Sequence, residues 1–531
     1  MLHLPVGINT LDKIRSGGFV YVDKTEFAYR IAHKAGAFFL SRPRRFGKSL
    51  FLDTLHQLFE GNEKLFEGLY IHDKWDWNTV HPVVKIDFGE GGVRNREELD
   101  AKIQEILTIN QQRLGIACQF QSNSGCFSEL IRLAHEQTGR RTVVLIDEYD
   151  KPILDNIENP AVAREMRDGL RDLYSVMKAR DAHIQCIFMT GVSKFSKVSL
   201  FSGLNNLEDL TIDSQYAAIC GYSQEELEAS FREHLDGVDL DRFRLWYNGY
   251  RWMGEPVYNP FDVLLFLQKG KVFRNYWFET GSPSFLIKLF QQKRYFLPDL
   301  ESIEVGEEIL SSFDVDRITP ETLLFQTGYL TIAESFTRRQ RLLFRLSIPN
   351  MEVRLALSDA LITGYTAIDA DKYAIQDALY QAMTTFDLPA LHGIVHRLFA
   401  AVSHRNFTKN DLLDCEGYYA SVLYAFFSSL NARIIPEDVT NKGQADLTVI
   451  LENKVFVMEI KLIQAAEVEG NPALEQVRAK GYSEKYQGRP GMTVYELGLV
   501  FSKAKRNLIA LDGREVRETS RPQHTPATYI A

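Results

Sequence analysis

AFFLSRPRRFGKSLFLDTLHQLF, residues Ala37 to Phe59, runs from an apolar stretch through a basic loop into a segment with helical spacing. The unbroken run AFFL fits a strand covered on both faces, as in a parallel α/β sheet. Leu50–Phe59 repeats its apolar residues with a helical period. Strand, loop and helix in that order let backbone N–H groups and a helix N-terminus face a phosphate. The loop closes on Gly47-Lys48-Ser49, as the pattern G-x-x-x-x-G-K-[ST] does, but Arg42 stands where the first glycine belongs. Gly47 allows close backbone approach, Lys48 reaches the β- and γ-phosphates of ATP, and the Ser49 hydroxyl holds Mg²⁺. Arg44 and Arg45 add charge toward phosphate, while Arg42 alters the start of the turn. Taken alone, the tripeptide among three arginines fits a basic loop equally well.

Working outward, similar apolar runs occur at Val83–Phe88, Val143–Ile146 and Ile184–Met189, with helical spacing at Met166–Arg180. Strands alternating with helices predict a doubly wound α/β domain. The run VVLIDEYD ends in Asp147-Glu148. At a strand end Asp147 can join the Mg²⁺ shell and Glu148 can polarise the attacking water; the plainer alternative is a strand ending in solvated acids. One strand lies between the loop and this acidic strand, and another follows and ends in Thr190. That succession suits P-loop ATPases whose acidic strand is not the sequence neighbour of the loop strand, with Thr190 as a polar sensor of the γ-phosphate. Loop and acidic strand together favour a nucleotide site.

The chain has 531 residues, 45% hydrophobic and 25% charged, with a net charge of −9. That length implies roughly two to four domains. The acidic balance argues against coating nucleic acid through overall charge, so a polyanion must be met by a local basic patch or by metal ions. The five cysteines are scattered, with no C-x-x-C pair, which suits reduced thiols in a cytoplasmic protein. The N-terminal segment lacks the apolar stretch of a signal peptide, and no run is long enough for a membrane span. A soluble protein without membrane contact is expected.

The pattern divides the chain into an ATPase-type domain with a lid at 1–290, a mainly helical connector at 291–395, and an α+β domain at 396–531. In the last, a helix at Glu416–Leu430 precedes a hairpin, Leu447–Ile450 and Val455–Ile460, and a helix follows near Ala473–Lys480. Asp446 opens the first strand of the hairpin; Glu459 and Lys461 share one face of the second. Two carboxylates and a lysine at a strand end suit phosphodiester cleavage. The carboxylates Asp446 and Glu459 hold Mg²⁺, and Lys461 orients water and offsets charge. The spacing D-x12-E-x-K is loose and also fits a charged hairpin edge. Oxygen ligands without neighbouring His or Cys favour Mg²⁺ or Mn²⁺ over zinc. His392 and His396 lack the glutamate of H-E-x-x-H and read as ordinary helix residues.

Several longer words agree in order with one family. YVDKTEF (Tyr21–Phe27), SRPRRFGKSL, LIDEYDKPI (Leu145–Ile153), TGVSKFSKVSLFSGLNNLEDLT (Thr190–Thr211), WYNGY (Trp246–Tyr250), NYWFETGSPSFLI (Asn275–Ile287) and IPNMEVR (Ile348–Arg354) are among them. The chain resembles the AAA-ATPase-like family of bacterial proteins that carry a C-terminal PD-(D/E)XK nuclease-like domain. The resemblance implies a P-loop ATPase with a parallel sheet, then a restriction-endonuclease-like domain, and makes the missing glycine a family trait. It adds Glu416 as an accessory metal ligand and Gln476 as a supporting residue of the nuclease site, with Ala445 replacing the proline before Asp446. Lys194 and Lys197 either face phosphate or are solvated. The expected function is an ATPase that gates a Mg²⁺-dependent nuclease acting on nucleic acid, DNA foremost, in a chain able to form homo-oligomers. The alternative is a nucleotide-switched binding module whose nuclease fold does not cut; a scaffold with both sites vestigial is the third reading.

Overall fold

The apolar runs become strands because each is buried on both faces. In the computed structural model, residues 35, 195–199, 201–205, 278–283, 308–317, 367, 370, 403–415 and 517–531 are outside the described part of the chain. The chain forms two compact units, Met1–Gly281 with Ile303–Val353, and Ser282–Ser302 with Arg354–Ala531. The expected connector at 291–395 is thus shared between them.

In the first unit, β1 (Gly36–Ser41), β2 (Val83–Asp87), β3 (Thr142–Asp147), β4 (Ile184–Gly191) and β5 (Leu207–Asp209) form a parallel sheet in the order β2-β3-β4-β1-β5. Val143, Val144, Leu145 and Ile146 of β3 are wholly buried, and each contributes about 1.5–3 kcal/mol. β2 separates the loop strand from the acidic strand along the sequence, and β4 separates them in the sheet. Helix α1 (Lys48–Phe59) follows β1, and α2 (Arg96–Leu114), α3 (Asn123–Thr138) and α4 (Pro160–Ala179) complete the α/β layers. A second core gathers Phe243, Tyr247, Tyr258, Phe266 and Tyr276 around α5 (Pro260–Gln268). Gly249 of WYNGY has φ 124°, and a Cβ there would meet Pro349 O at 2.0 Å, so only glycine fits. The strands β6 (Ile303–Gly306), β7 (Thr331–Arg338) and β8 (Arg341–Ser347) form a small antiparallel sheet in the otherwise helical stretch.

Two helix starts meet inside this unit. Asp262 lies in the first turn of α5 and Glu352 in the first turn of α6 (Met351–Tyr365); both are fully buried. Glu352 Oε1 accepts the backbone N–H groups of Tyr276 and Trp277. Glu352 Oε2 and both Asp262 oxygens meet no donor, so a proton shared between the two carboxyls would satisfy Glu352 Oε2 and one of the Asp262 oxygens. Burial holds both above the ordinary carboxylate range; the charge of Glu352 adds to the rise at Asp262, while the Trp277 N–H, the hydrogen bond with Asp262 and the Tyr276 N–H oppose it at Glu352. The stability from such a pair is complete below the ordinary carboxylate pKa and is lost as pH rises through the raised one. Asp262→Asn keeps a donor toward Glu352 and removes the second charge. It is expected to leave the melting temperature near wild type at pH 5 and raise it at pH 9. Parallel melting curves for the two proteins across that range would refute the shared proton.

In the second unit, β9 (Arg433–Thr440), β10 (Gly443–Leu451), β11 (Lys454–Ile463), β12 (Thr493–Ser502) and β13 (Asn507–Glu515) form a mixed sheet in the order β13-β12-β11-β10-β9. Only β11 and β12 pair in parallel. Helix α7 (Glu416–Ser429) precedes the sheet, and α8 (Pro472–Lys480) is the crossover between the parallel strands. Gly498 of β12 admits α8: a Cβ there would lie 2.2 Å from Leu474 N. The expected hairpin is β10 and β11; β9, β12 and β13 are additions to the expectation. Among the described residues, no helix is long and apolar enough to cross a membrane. Cys118, Cys126, Cys186 and Cys220 are free thiols, while Cys415 falls outside the described residues.

Candidate functional site

The loop between β1 and α1 bends through two left-handed residues, Arg45 (φ 68°) and Gly47 (φ 92°). A non-glycine residue in that region costs about 1–3 kcal/mol and is typical of functional turns. Lys48, at the first turn of α1, turns back into the loop, and its Nζ donates to the carbonyls of Arg42 and Pro43 at 2.9 Å each. Burial pulls its pKa down, against the nearby charges of Asp147, Glu148 and Asp150.

Asp147 ends β3 and is buried; Oδ1 accepts the Thr190 hydroxyl and the Glu148 N–H, the latter at 3.0 Å. Glu148 is half-buried with φ 48°, which turns it out of the strand. Burial, then Asp147, Asp150 and Asp87, push its pKa up, while Lys48 opposes them. A cleft of about 540 Å³ is lined by Arg44, Arg45, Gly47, Lys48, Ser49 and Glu148, with Phe261 and Leu264 of α5 as apolar wall. That volume suits a small organic ligand. A larger groove, about 810 Å³ over α2, α3 and α4, holds none of the loop or strand-end residues.

The structure thus brings Arg45, Gly47, Lys48, Ser49 and Glu148 to one cleft, with Asp147 behind them. Thr190 is fully buried and its hydroxyl is spent on Asp147, so it orients that carboxylate rather than lining the cleft. Lys194 is ion-paired with Asp209, and Lys197 lies outside the described residues. Sequence reading missed Lys151 and Asp155, paired at 2.6 Å on the cleft wall. It also missed Asp150, which accepts from Val192 N, Ser193 N and the Ser193 hydroxyl and so ties the end of β3 to the end of β4. The signal for all three lay in the polar tail of VVLIDEYDKPILD, residues 143–155.

In the second unit, Asp446 and Glu459 lie one step beyond the last paired residues of the hairpin, Leu447 and Met458. Asp446 Oδ2 accepts the Ile460 N–H at 2.7 Å. Glu459 Oε1 is met by Lys461 Nζ at 3.2 Å and by the side-chain amide of Gln476. Glu459 is 2% exposed, and its Oε2 has no partner in the structure. Burial and the charge of Asp446 push the Glu459 carboxyl up to about 7, with Lys461 opposing. Burial also raises Asp446, with Glu416 adding to the shift and the Ile460 N–H opposing it. Burial pulls Lys461 down, but Glu459, Glu416 and Asp446 together hold it above its usual value. Glu416 Oε1 accepts the Leu462 N–H at 3.0 Å, which fixes the start of α7 beside β11. Asn471 fixes α8, accepting Leu474 N and donating to Gly498 O, both at 2.9 Å, so that Gln476 reaches Glu459. All five residues expected of this site share one end of the sheet. No group of three or more His, Cys, Asp or Glu among the described residues is arranged to hold a metal.

A parallel sheet in this order, with a lysine loop after β1 and an acid pair after β3, defines a P-loop ATPase fold; the mixed sheet defines a nuclease-type fold. Residues 5–201 match the family described as predicted AAA-ATPase, and residues 414–510 match the PD-(D/E)XK nuclease superfamily. The chain belongs to the AAA-ATPase-like family and carries a PD-(D/E)XK nuclease superfamily domain at its C-terminal end. One relative, the "Uncharacterized protein in vnfD 5'region" of Azotobacter chroococcum mcd 1, is 48% identical over 507 residues, spanning 95% of this chain and 98% of the relative. Among solved structures, Drosophila ORC bound to AT-rich DNA and Cdc6 is 10% identical, covering 66% of this chain and 92% of that chain with a TM-score of 0.17. The complex with GC-rich DNA is 12% identical, with the same coverage and TM-score. Scores that low carry no argument about fold or ligand.

Proposed function

We propose that the first unit binds and hydrolyses ATP and that this cycle gates a divalent-metal nuclease in the second unit, acting on nucleic acid, DNA foremost. The observation that carries the reading is Glu459. It is a buried carboxylate with an orphan oxygen, crowded by Asp446 and faced by Lys461 and Gln476. Such an arrangement is costly in an empty core and suits a cation. Asp446 and Glu459 would hold Mg²⁺ or Mn²⁺, with Glu416 at hand; the remaining ligands would come from water and substrate phosphate, as is usual for Mg²⁺. When bound, the ion supplies Lewis acidity toward the phosphodiester. Lys461 holds its positive charge beside the reacting phosphate, and Gln476 keeps Glu459 in place.

At the cleft, Ser49 and Asp147 are the oxygen donors for Mg²⁺, Lys48 and Arg45 supply charge to the phosphates, and Thr190 holds Asp147. Glu148 accepts the proton of the attacking water. The four free thiols favour a reducing compartment, the cytoplasm.

The decisive experiment incubates the purified full chain with plasmid and Mg²⁺ or Mn²⁺, with and without ATP. Cleavage that needs metal and responds to nucleotide is expected. No cleavage in any nucleotide state, with Asp446→Ala indistinguishable from the parent, would end the reading. One observation favours the non-cleaving alternative, a nucleotide-switched binder: no three acidic or imidazole side chains among the described residues converge on one point. Calorimetry decides between them, since the binder has no Mn²⁺ affinity that Glu459→Gln removes.

For the ATPase, Glu148→Gln is expected to keep nucleotide binding and slow turnover by about 10²–10⁴-fold, the scale of losing a general base. Phosphate release measured beside a thermal-shift titration checks it. Parental turnover in the variant would assign the base elsewhere.

A further inference from the structure

Arg42 is the residue that breaks the phosphate-loop pattern, and it does not face the cleft. Its side chain is 1% exposed and runs away from the nucleotide side. Nη1 donates to Ser41 O at 2.9 Å and to Thr211 O at 2.8 Å, and Nη2 donates to Tyr216 O at 3.1 Å. The guanidinium lies 4.1 Å from the ring centroid of Trp252. The same indole packs at right angles to the ring of Phe46, a fully buried residue of the loop. Among the described residues, this cation bonds to carbonyls and lies on an aromatic face; Asp209, which favours the charged form without a bond to it, is bonded to Lys194. Burial brings the Arg42 pKa down to about 10. A cation buried without a bonded carboxylate is costly, so its place here calls for a return.

The return is visible in the backbone. The Arg42 N–H donates to Gly191 O at the end of β4, while the Arg42 carbonyl is one of the two that receive Lys48 Nζ. One residue therefore fixes the loop to β4, to the turn at 211–216 and to the lysine meant for phosphate. A glycine at this position would keep the backbone N–H and carbonyl but hold neither Thr211 O nor Tyr216 O, and its freer backbone would leave the curvature of the loop unfixed. Lysine could keep the charge but not the planar fork that serves separate carbonyls.

We propose that Arg42 is a positioning residue of the ATP site, its side-chain fork setting the curvature of the phosphate loop and the place of Lys48 in the role a glycine turn has elsewhere. The inference rests on the ATPase reading of the cleft.

The test compares Arg42→Gly, which restores the general glycine pattern, and Arg42→Lys with the parent in the full chain. ATP turnover is measured well below each variant's own melting temperature, so that lost stability alone does not change it. Both variants are expected to fold and to lose about 10²-fold in kcat/KM, the scale of a misplacement of about 1 Å, with most of the loss in KM for ATP. If Arg42→Gly fails to fold, Arg42→Lys decides. Parental kcat and KM in either folded variant would overturn the proposal, and so would loss of folding in both, which would assign Arg42 to stability alone. A parent that neither binds nor hydrolyses ATP refutes the ATPase reading instead.

Discussion

Lys48→Ala is expected to remove ATP binding while the apo protein melts at or above the parental temperature. The side chain is buried with two carbonyls as its partners and, among the described residues, no carboxylate bonded to it. Burial alone lowers its pKa, so the unliganded fold gains little from the charge. A nucleotide's phosphates reverse that balance by giving the ammonium anionic partners. Loss of one such preorganised donor costs about 10²–10³-fold in turnover. The thermal shift is the cleaner measurement. At about 100 times the dissociation constant, Mg-ATP is expected to stabilise the parent by about 2.7 kcal/mol and the variant not at all. A full shift in Lys48→Ala would place the nucleotide somewhere other than this cleft.

The second large effect is at Glu459. Glu459→Gln keeps the shape, removes a buried charge beside Asp446, and gives the orphan oxygen's position to an atom that can donate. Cleavage is expected to fall by about 10³-fold or more, since the residue acts on the reacting charge. The melting temperature of the metal-free protein is expected to rise by a few degrees, because each kcal/mol of relief is worth about 2–4 °C in a domain of this size. Activity and stability moving in opposite directions separate a functional carboxylate from a structural one. A variant that cuts like the parent, or that melts earlier, would show that Glu459 is held by the fold for its own sake. Plasmid nicking and calorimetric melting, run on the same preparation, check both halves.

How much of this was legible in the sequence follows from range. β1, the loop, α1 and β3 are local: a continuous apolar run and its polar end lie within a few residues, so fold class and the cleft residues could be read together. The hairpin carrying Asp446 and Glu459 was also local, and its two-residue alternation put Glu459 and Lys461 on one face. What the sequence concealed is long-range. The partners of the Arg42 fork lie 169 and 174 residues downstream, and nothing in SRPRRFGKSL announces them. Asp262 and Glu352 read as ordinary acids in the first turns of helices, where charge is favoured; only tertiary packing buries them against each other. Thr190 was placed correctly at its strand end, but the direction of its hydroxyl depends on the neighbouring strand. The strands β9, β12 and β13 were passed over because their runs carry no chemistry to draw attention.

The path of the chain between the two units has a consequence for how the protein can be made and lost. Ser282–Ser302 is spent in the second unit before Ile303–Val353 returns to finish the first. During translation the first unit therefore stays unfinished until Ile303–Val353 has left the ribosome, by which time part of the other unit is already out. No single scission frees either body intact, and a gene shortened anywhere upstream of Val353 forfeits Glu352 or the sheet that precedes it. Selection must keep or discard the two units as a single heritable piece.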